Sequence, residues 1–132
     1  MLECLILGDS IAVGVSSQRP ECHKAAKGGI NSHVFSQQFI TNIKPSKSVV
    51  ISLGSNDGRS LFESELIKIR DAVKAEKVYW LASANNKQAA ELVRKIAHKY
   101  GDMIVEVNSV QLTGDKVHPT GYGYRELANK TR

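Results

Sequence analysis

Four short runs of apolar residues, at 2–7, 48–53, 78–82 and 103–107, are nearly continuous rather than alternating. A strand reads this way when both faces of its sheet are covered. A weaker fifth run spans 22–26, where His23 and Lys24 dilute the pattern. Amphipathic stretches separate the runs. Ser60 and Glu63 have the spacing of a capping box, and Phe62, Leu66, Ile69 and Val73 then recur on one helical face. Ala89, Leu92, Val93, Ile96 and Tyr100 form a second stripe, with Asn85 or Asn86 as its N-cap and Gly101 to end it. Phe35, Phe39 and Ile43 mark an earlier helix, capped by Ser32 and stopped before Pro45. A short helix is expected after Ser10 and a last one from Pro119. Five β-α units in succession call for an α/β fold, a three-layer α/β/α sandwich around a five-stranded parallel sheet. By analogy with flavodoxin-like folds the expected strand order is 2-1-3-4-5. No linker, repeat or low-complexity segment divides residues 1–132, so a single domain is expected.

A chain of 132 residues with 42% hydrophobic content can bury a core without help from disulfides or metals. Cys4 and Cys22 therefore read as small buried hydrophobes. Cys22 and His23 lack a second pair at ligand spacing, so neither a metal nor another cofactor is expected. The net charge of +5 is scattered along the helical stretches, and only three Phe, four Tyr and one Trp are present. A focused basic face with stacking aromatics is missing, which argues against a nucleic-acid partner. No segment approaches the ~18 apolar residues of a membrane span, and the opening MLECLILGDS has no basic leader. The expectation is a cytoplasmic chain in a reducing environment; the oligomeric state is not legible. Neither GxxxxGK[ST] nor GxGxxG follows the first strand, which removes the usual phosphate-binding readings.

In open α/β sheets ligands bind outside the carboxyl ends of the strands. The residues that follow the runs are Gly8-Asp9-Ser10, Gly28-Gly29, Gly54-Ser55-Asn56-Asp57 and Asp115-Lys116-Val117-His118-Pro119. Together they hold what acyl transfer needs: a hydroxyl nucleophile, an imidazole base, a carboxylate to orient it, and donors for an oxyanion. Each also has a plainer role available. Ser10 can cap a helix, Asp9 can form a turn, Asn56 can serve left-handed backbone, and Asp115 with His118 can belong to a solvated loop. His118 precedes Pro119, which favours an extended backbone and lets the ring project towards Ser10. His23, His33 and His98 have no partners at useful spacing, and Trp80 reads as core.

GDS at 8–10, GxND at 54–57 and DxxHP at 115–119, in that order over nearly the whole chain, resemble the SGNH (GDSL-type) hydrolases. The resemblance implies Ser10 as nucleophile and Asp115 and His118 as its partners. It implies an oxyanion hole of Ser10 N–H, Gly29 N–H and the Asn56 amide. The second block, Lys27-Gly28-Gly29-Ile30-Asn31-Ser32, fits loosely, so Gly28 is an alternative donor. Ile11 stands where the family name has Leu, and the chain is shorter than most members, which implies an open, shallow site. The implied function is hydrolysis of small acyl esters, including O-acetyl groups on carbohydrate, so the implied partner is a small-molecule or carbohydrate ester. Acyl transfer or thioester hydrolysis on the same triad, and a non-catalytic binding module, are the alternatives. Asp9, Arg59 and Asn85 are candidate substrate contacts, Arg59 for an anionic group.

Overall fold

The apolar runs become β1 (Leu2–Gly8), β2 (His23–Ala26), β3 (Ser46–Ser52), β4 (Ala75–Ala82) and β5 (Met103–Glu106) of one sheet. All pairings are parallel and the order is β2-β1-β3-β4-β5, as expected. This is a computed structural model, and it describes residues 1–60 and 62–132. Among the described residues five α-helices connect and follow the strands: α1 (Ser10–Ser17), α2 (Ser32–Phe39), α3 (Glu63–Ala72), α4 (Lys87–Tyr100) and α5 (Gly121–Lys130).

Because successive strand residues face opposite ways, the sheet feeds two cores. Leu5, Leu7, Val49, Ile51 and Trp80 pack against Phe35, Leu66, Ile69, Val93 and Ile96 of α2, α3 and α4. Ile6, Val50, Tyr79 and Leu81 pack against Ile11, Val15, Leu127 and Ala128 of α1 and α5. Trp80 is fully buried, and its indole N–H donates to Asp102 Oδ2 at 3.0 Å. Among the described residues no helix is long and apolar enough to cross a membrane.

The helix starts differ in detail from the sequence reading. Asp9, not Ser10, caps α1, its Oδ1 accepting the Ile11 N–H at 3.0 Å. Asn31, not Ser32, caps α2, and that helix yields at 40–42 to a 3-10 turn, leaving Ile43 extended. Ser60 lies outside α3, which opens after Phe62 with no side-chain cap, and Val73 is already extended. Asn86 caps α4, and Gly101 ends it in left-handed backbone at φ +71°. Pro119 does not open α5; it pairs with Leu112 in an antiparallel bridge, and Thr120 caps a helix that begins at Gly121. Residues 112–119 therefore form a small hairpin arm, closed also by Thr113 N–H to the His118 carbonyl at 2.8 Å.

The cysteines correct the expectation of free thiols: Cys4 and Cys22 form a disulfide. The reason lies in register. Leu5 pairs with His23 across β1 and β2, so the preceding residues face each other with Cα atoms 4.8 Å apart, within bridging distance. Such a bond is the chemistry of an oxidising compartment, at odds with the reducing environment expected from sequence. The bond closes a loop over a separation of 18 residues that contains the Gly8-Asp9-Ser10 turn and all of α1. Loop-closure entropy assigns about 3 kcal/mol to a loop of this size. Urea unfolding of the oxidised chain and of Cys4→Ser/Cys22→Ser should differ by that amount; coincident midpoints would show that the staple contributes nothing.

Candidate active site

The turn after β1 is built for close approach. Gly8 has φ +135°, and a Cβ there would overlap the Ser52 carbonyl of β3, so only glycine fits. The chain reverses sharply, and Ser10 emerges as the first residue of α1 at the carboxyl edge of the sheet. Its Oγ is 2.8 Å from His118 Nε2, across 108 residues of sequence.

The hairpin arm supplies both remaining members of the relay. His118 Nδ1 is 2.8 Å from Asp115 Oδ2. Asp115 Oδ1 accepts the backbone N–H groups of Val117 at 2.9 Å and His118 at 3.0 Å, together with the Thr113 hydroxyl at 2.7 Å. These donors, the His118 N–H foremost, hold the Asp115 carboxyl well below the usual carboxylate range. A carboxylate on Nδ1 fixes the proton there and leaves Nε2 as the acceptor for the serine hydroxyl.

Two neighbouring loops complete the edge. In the β2–α2 loop Gly28 adjoins Ser10, such that a Cβ on Gly28 would lie 3.9 Å from Ser10 Cβ; Gly29 follows at φ +77°. In the β3–α3 loop Asn56 is exposed, and its Nδ2 donates to the Ile30 carbonyl at 3.1 Å. A primary amide has two N–H donors, so one remains for a ligand. Next to it Asp57 is buried and accepts the Ser32 N–H at 2.8 Å and the Ser32 hydroxyl at 2.7 Å. Burial raises the Asp57 carboxyl above its ordinary range. This pair locks the Gly28-Gly29 loop to the Asn56 loop. Sequence reasoning gave neither Asp57 nor Ser32 a part in the site, although Asp57 lay in plain view within GxND.

No protein-family model matches this sequence, and a search of curated proteins finds no match. Solved structures do match. A GDSL-like lipase from Bacteroides thetaiotaomicron superposes with a TM-score of 0.75 at 19% identity, covering 97% of this chain and 84% of that one. A carbohydrate acetylesterase family member from Sinorhizobium meliloti gives 0.66 at 14% identity, covering 96% and 94%. An aryl esterase of M. smegmatis gives 0.64 at 14% identity, with 98% of each chain covered. The chain has the GDSL-hydrolase fold.

On this fold the remaining candidates occupy different surroundings. Arg59 and Asn85 line an open cleft of about 450 Å³ between the β3–α3 and β4–α4 loops. The Asn85 amide is engaged internally: Oδ1 accepts the hydroxyls of Ser55 and Ser83, and Nδ2 donates to the Ser55 carbonyl. His33 pairs on the surface with Glu65 at 3.1 Å. Among the described residues Cys4, Glu21 and Cys22 cluster at ligand spacing, but both sulfurs are consumed by the disulfide.

Asp9 is a correction. Expected at the substrate, it has no exposed surface and sits beneath Ser10. Oδ1 takes the Ser52 hydroxyl at 2.9 Å as well as the Ile11 N–H, while Oδ2 has no hydrogen-bond partner among the described residues. Desolvation by burial outweighs these donors and pushes its pKa up to about 6. Between its ordinary value of 3.8 and about 6, the folded chain keeps a proton that the unfolded chain has released. The stability from the neutral acid is complete below that window and is lost as pH rises through it. Asp9→Asn keeps an acceptor and cannot ionise. Its stability relative to the parent should therefore improve from pH 4 to pH 7, by up to roughly 3 kcal/mol. Chemical denaturation of both at the two pH values checks this, and a constant difference would contradict it.

Proposed function

We propose that the chain is a serine esterase acting on small acyl esters, including O-acetyl groups on carbohydrate, through an acyl-enzyme intermediate. The observation that carries the reading is the unbroken relay from Ser10 Oγ through the His118 ring to Asp115, with both contacts at 2.8 Å. The GDSL-hydrolase fold and its neighbours named as lipase, acetylesterase and aryl esterase support it.

Ser10 Oγ attacks the acyl carbon while its proton passes to His118 Nε2. Asp115 stays ionised and stabilises the imidazolium that results. The carbonyl oxygen, now an oxyanion, accepts hydrogen bonds from the Ser10 N–H, the second N–H of the Asn56 amide, and a backbone N–H of the Gly28-Gly29 turn. Gly29 is the donor implied by motif, and the proximity of Gly28 to Ser10 favours Gly28 as the alternative. Collapse of the intermediate breaks the bond to the alcohol oxygen, which takes the proton from Nε2 and leaves. Water then attacks the acyl-enzyme with its proton going to Nε2; the carboxylic acid departs and the proton returns to Ser10 Oγ.

The wild-type chain should hydrolyse p-nitrophenyl acetate and take up one equivalent of a serine-reactive phosphonate, detected by intact mass. Ser10→Ala should do neither; undiminished turnover in that variant would end the proposal. Asn56→Ala should lower kcat by about 10²- to 10³-fold with a much smaller change in KM, because the amide acts on charge that develops only in the transition state.

A further inference from the structure

Two clefts open on loops that the strand order places on opposite sides of the β1 turn carrying Ser10. Towards the β2 edge lies a recess of about 190 Å³ beside Gly28 and Gly29, whose apolar wall is Ile30 and Val34. Towards β3 and β4 lies the larger cleft of about 450 Å³, whose walls are Ser55, Arg59, Asn85, Asn86, Lys87 and Gln88, with Gly58 between them. The hairpin arm reaches this side: Val117 lines a crevice with Ser55, Ser83 and Ala84, and Ser55 also lines the cleft. His118, the next residue, is the proton donor to the departing alcohol in the esterase reading. On that reading the alcohol portion is assigned to the β3–β4 side, past the arm, and the acyl group to the small apolar recess.

The larger cleft carries no hydrocarbon wall for a lipid. Its two asparagine amides are already spent. Asn85 bonds Ser55 and Ser83, and Asn86 Nδ2 donates to the carbonyls of Gly54 at 3.2 Å and Gly58 at 2.8 Å while its Oδ1 accepts the Ala89 N–H. Among the described residues, the Gln88 amide and two cations remain without a partner. Arg59 and Lys87 are both exposed, and neither forms an ion pair among the described residues. Six other cations, Arg19, Lys47, Arg70, Arg94, Lys95 and Arg132, have a carboxylate partner among the described residues and the rest do not, so what sets Arg59 and Lys87 apart is the polar cleft they share at the carboxyl edge of the sheet. Two unpaired cations facing one polar cleft, which opens on the loop that also carries Asn56, constitute an anion-recognition surface.

We infer that this cleft selects esters whose alcohol portion carries an anionic group, a carboxylate or a phosphate, held by Arg59 and Lys87. The inference rests on the esterase reading and deepens it to a substrate class.

The test uses three acetyl esters of one sugar ring: a methyl glucoside acetate, the corresponding glucuronoside acetate, and the glucoside acetate bearing a 6-phosphate. The readout is the ratio of kcat/KM for each charged ester to that for the neutral one. At low salt at least one ratio should be about fivefold, the size that two solvent-exposed charge contacts support; the arm with the larger ratio identifies carboxylate or phosphate. The preference should fall towards unity in 1 M salt and in Arg59→Ala/Lys87→Ala, and persist in Arg59→Lys. Ratios of one or less in the wild type, or a preference untouched by salt or kept by the double variant, would overturn the inference. Hydrolysis of all three esters at equal rates would overturn it alone. No hydrolysis of any, together with no phosphonate labelling, would overturn the esterase reading and this inference with it.

Discussion

The contact between Ser10 and His118 joins the start of the chain to its end, and the parallel sheet is what makes it possible. In a sheet of this kind every strand delivers its carboxyl end to the same edge, so five loops separated widely in sequence converge there. Convergence alone does not set a hydrogen bond to 2.8 Å. That is the work of the hairpin arm, whose Leu112–Pro119 bridge and Thr113–His118 bond stiffen a stretch of eight positions that would otherwise be a solvated loop. Asp115 then holds the arm's last turn from within, accepting two backbone N–H groups with the oxygen not used for the imidazole. One carboxylate fixes both the backbone that carries the histidine and the tautomer of its ring.

Beneath the serine a different carboxyl has a structural task. Because Asp9 caps α1, the Ser10 hydroxyl is not drawn back onto its own helix and is left to meet the imidazole. Asp9 also ties β1 to β3, through its side chain to the Ser52 hydroxyl and through its N–H to the Ser52 carbonyl at 3.0 Å. Gly8 permits the approach that these bonds need. The arrangement costs stability above the raised pKa, since one oxygen of a desolvated carboxyl is without a donor. Strain and unmet polar groups of this kind concentrate where a fold presents a reactive side chain.

β1, β3 and β4 were legible because a doubly covered strand must be apolar without alternation; the edge strands β2 and β5 are only partly covered, and His23 and Lys24 accordingly dilute the β2 pattern. Helix starts were legible only to within one or two residues, the Ser60 cap expected for α3 giving way to a start after Phe62. Asp9 and Ser10, Asn31 and Ser32, and Asn85 and Asn86 are adjacent pairs of competent caps, and which one turns back onto the helix depends on the backbone path into it. The Pro119 start failed because a bridge to Leu112, a contact between loop residues, claims that residue first. The disulfide was hidden for a related reason: it follows from the register of β2 against β1, and nothing local to Cys4 or Cys22 encodes register. At the site, the motif residues Ser10, Asp115 and His118 meet at the expected edge, and Asn56 stands on a loop of the same edge. Asp9 misled because a polar residue in a turn after a strand ordinarily faces water, whereas here Ser52 of the next strand covers it.

These constraints link the edge of the sheet to its chemistry. β2 has four residues and a single neighbour, β1, so like β5 at the opposite edge it has little to hold it. It nevertheless delivers the Gly28-Gly29 turn, whose N–H groups must be fixed before an oxyanion forms if they are to stabilise it at all. Three features compensate for the short strand: the Cys4–Cys22 bond at its beginning, the Lys27 N–H to Gly8 carbonyl bond of 2.9 Å at its end, and the Asp57–Ser32 and Asn56–Ile30 contacts beyond. The disulfide lies at the far end of the strand from the nucleophile and touches no reacting group. By pinning the β1–β2 register it still bears on where the turn presents its donors, so rigidity at that end of the sheet and polarity at the other belong to one structural problem.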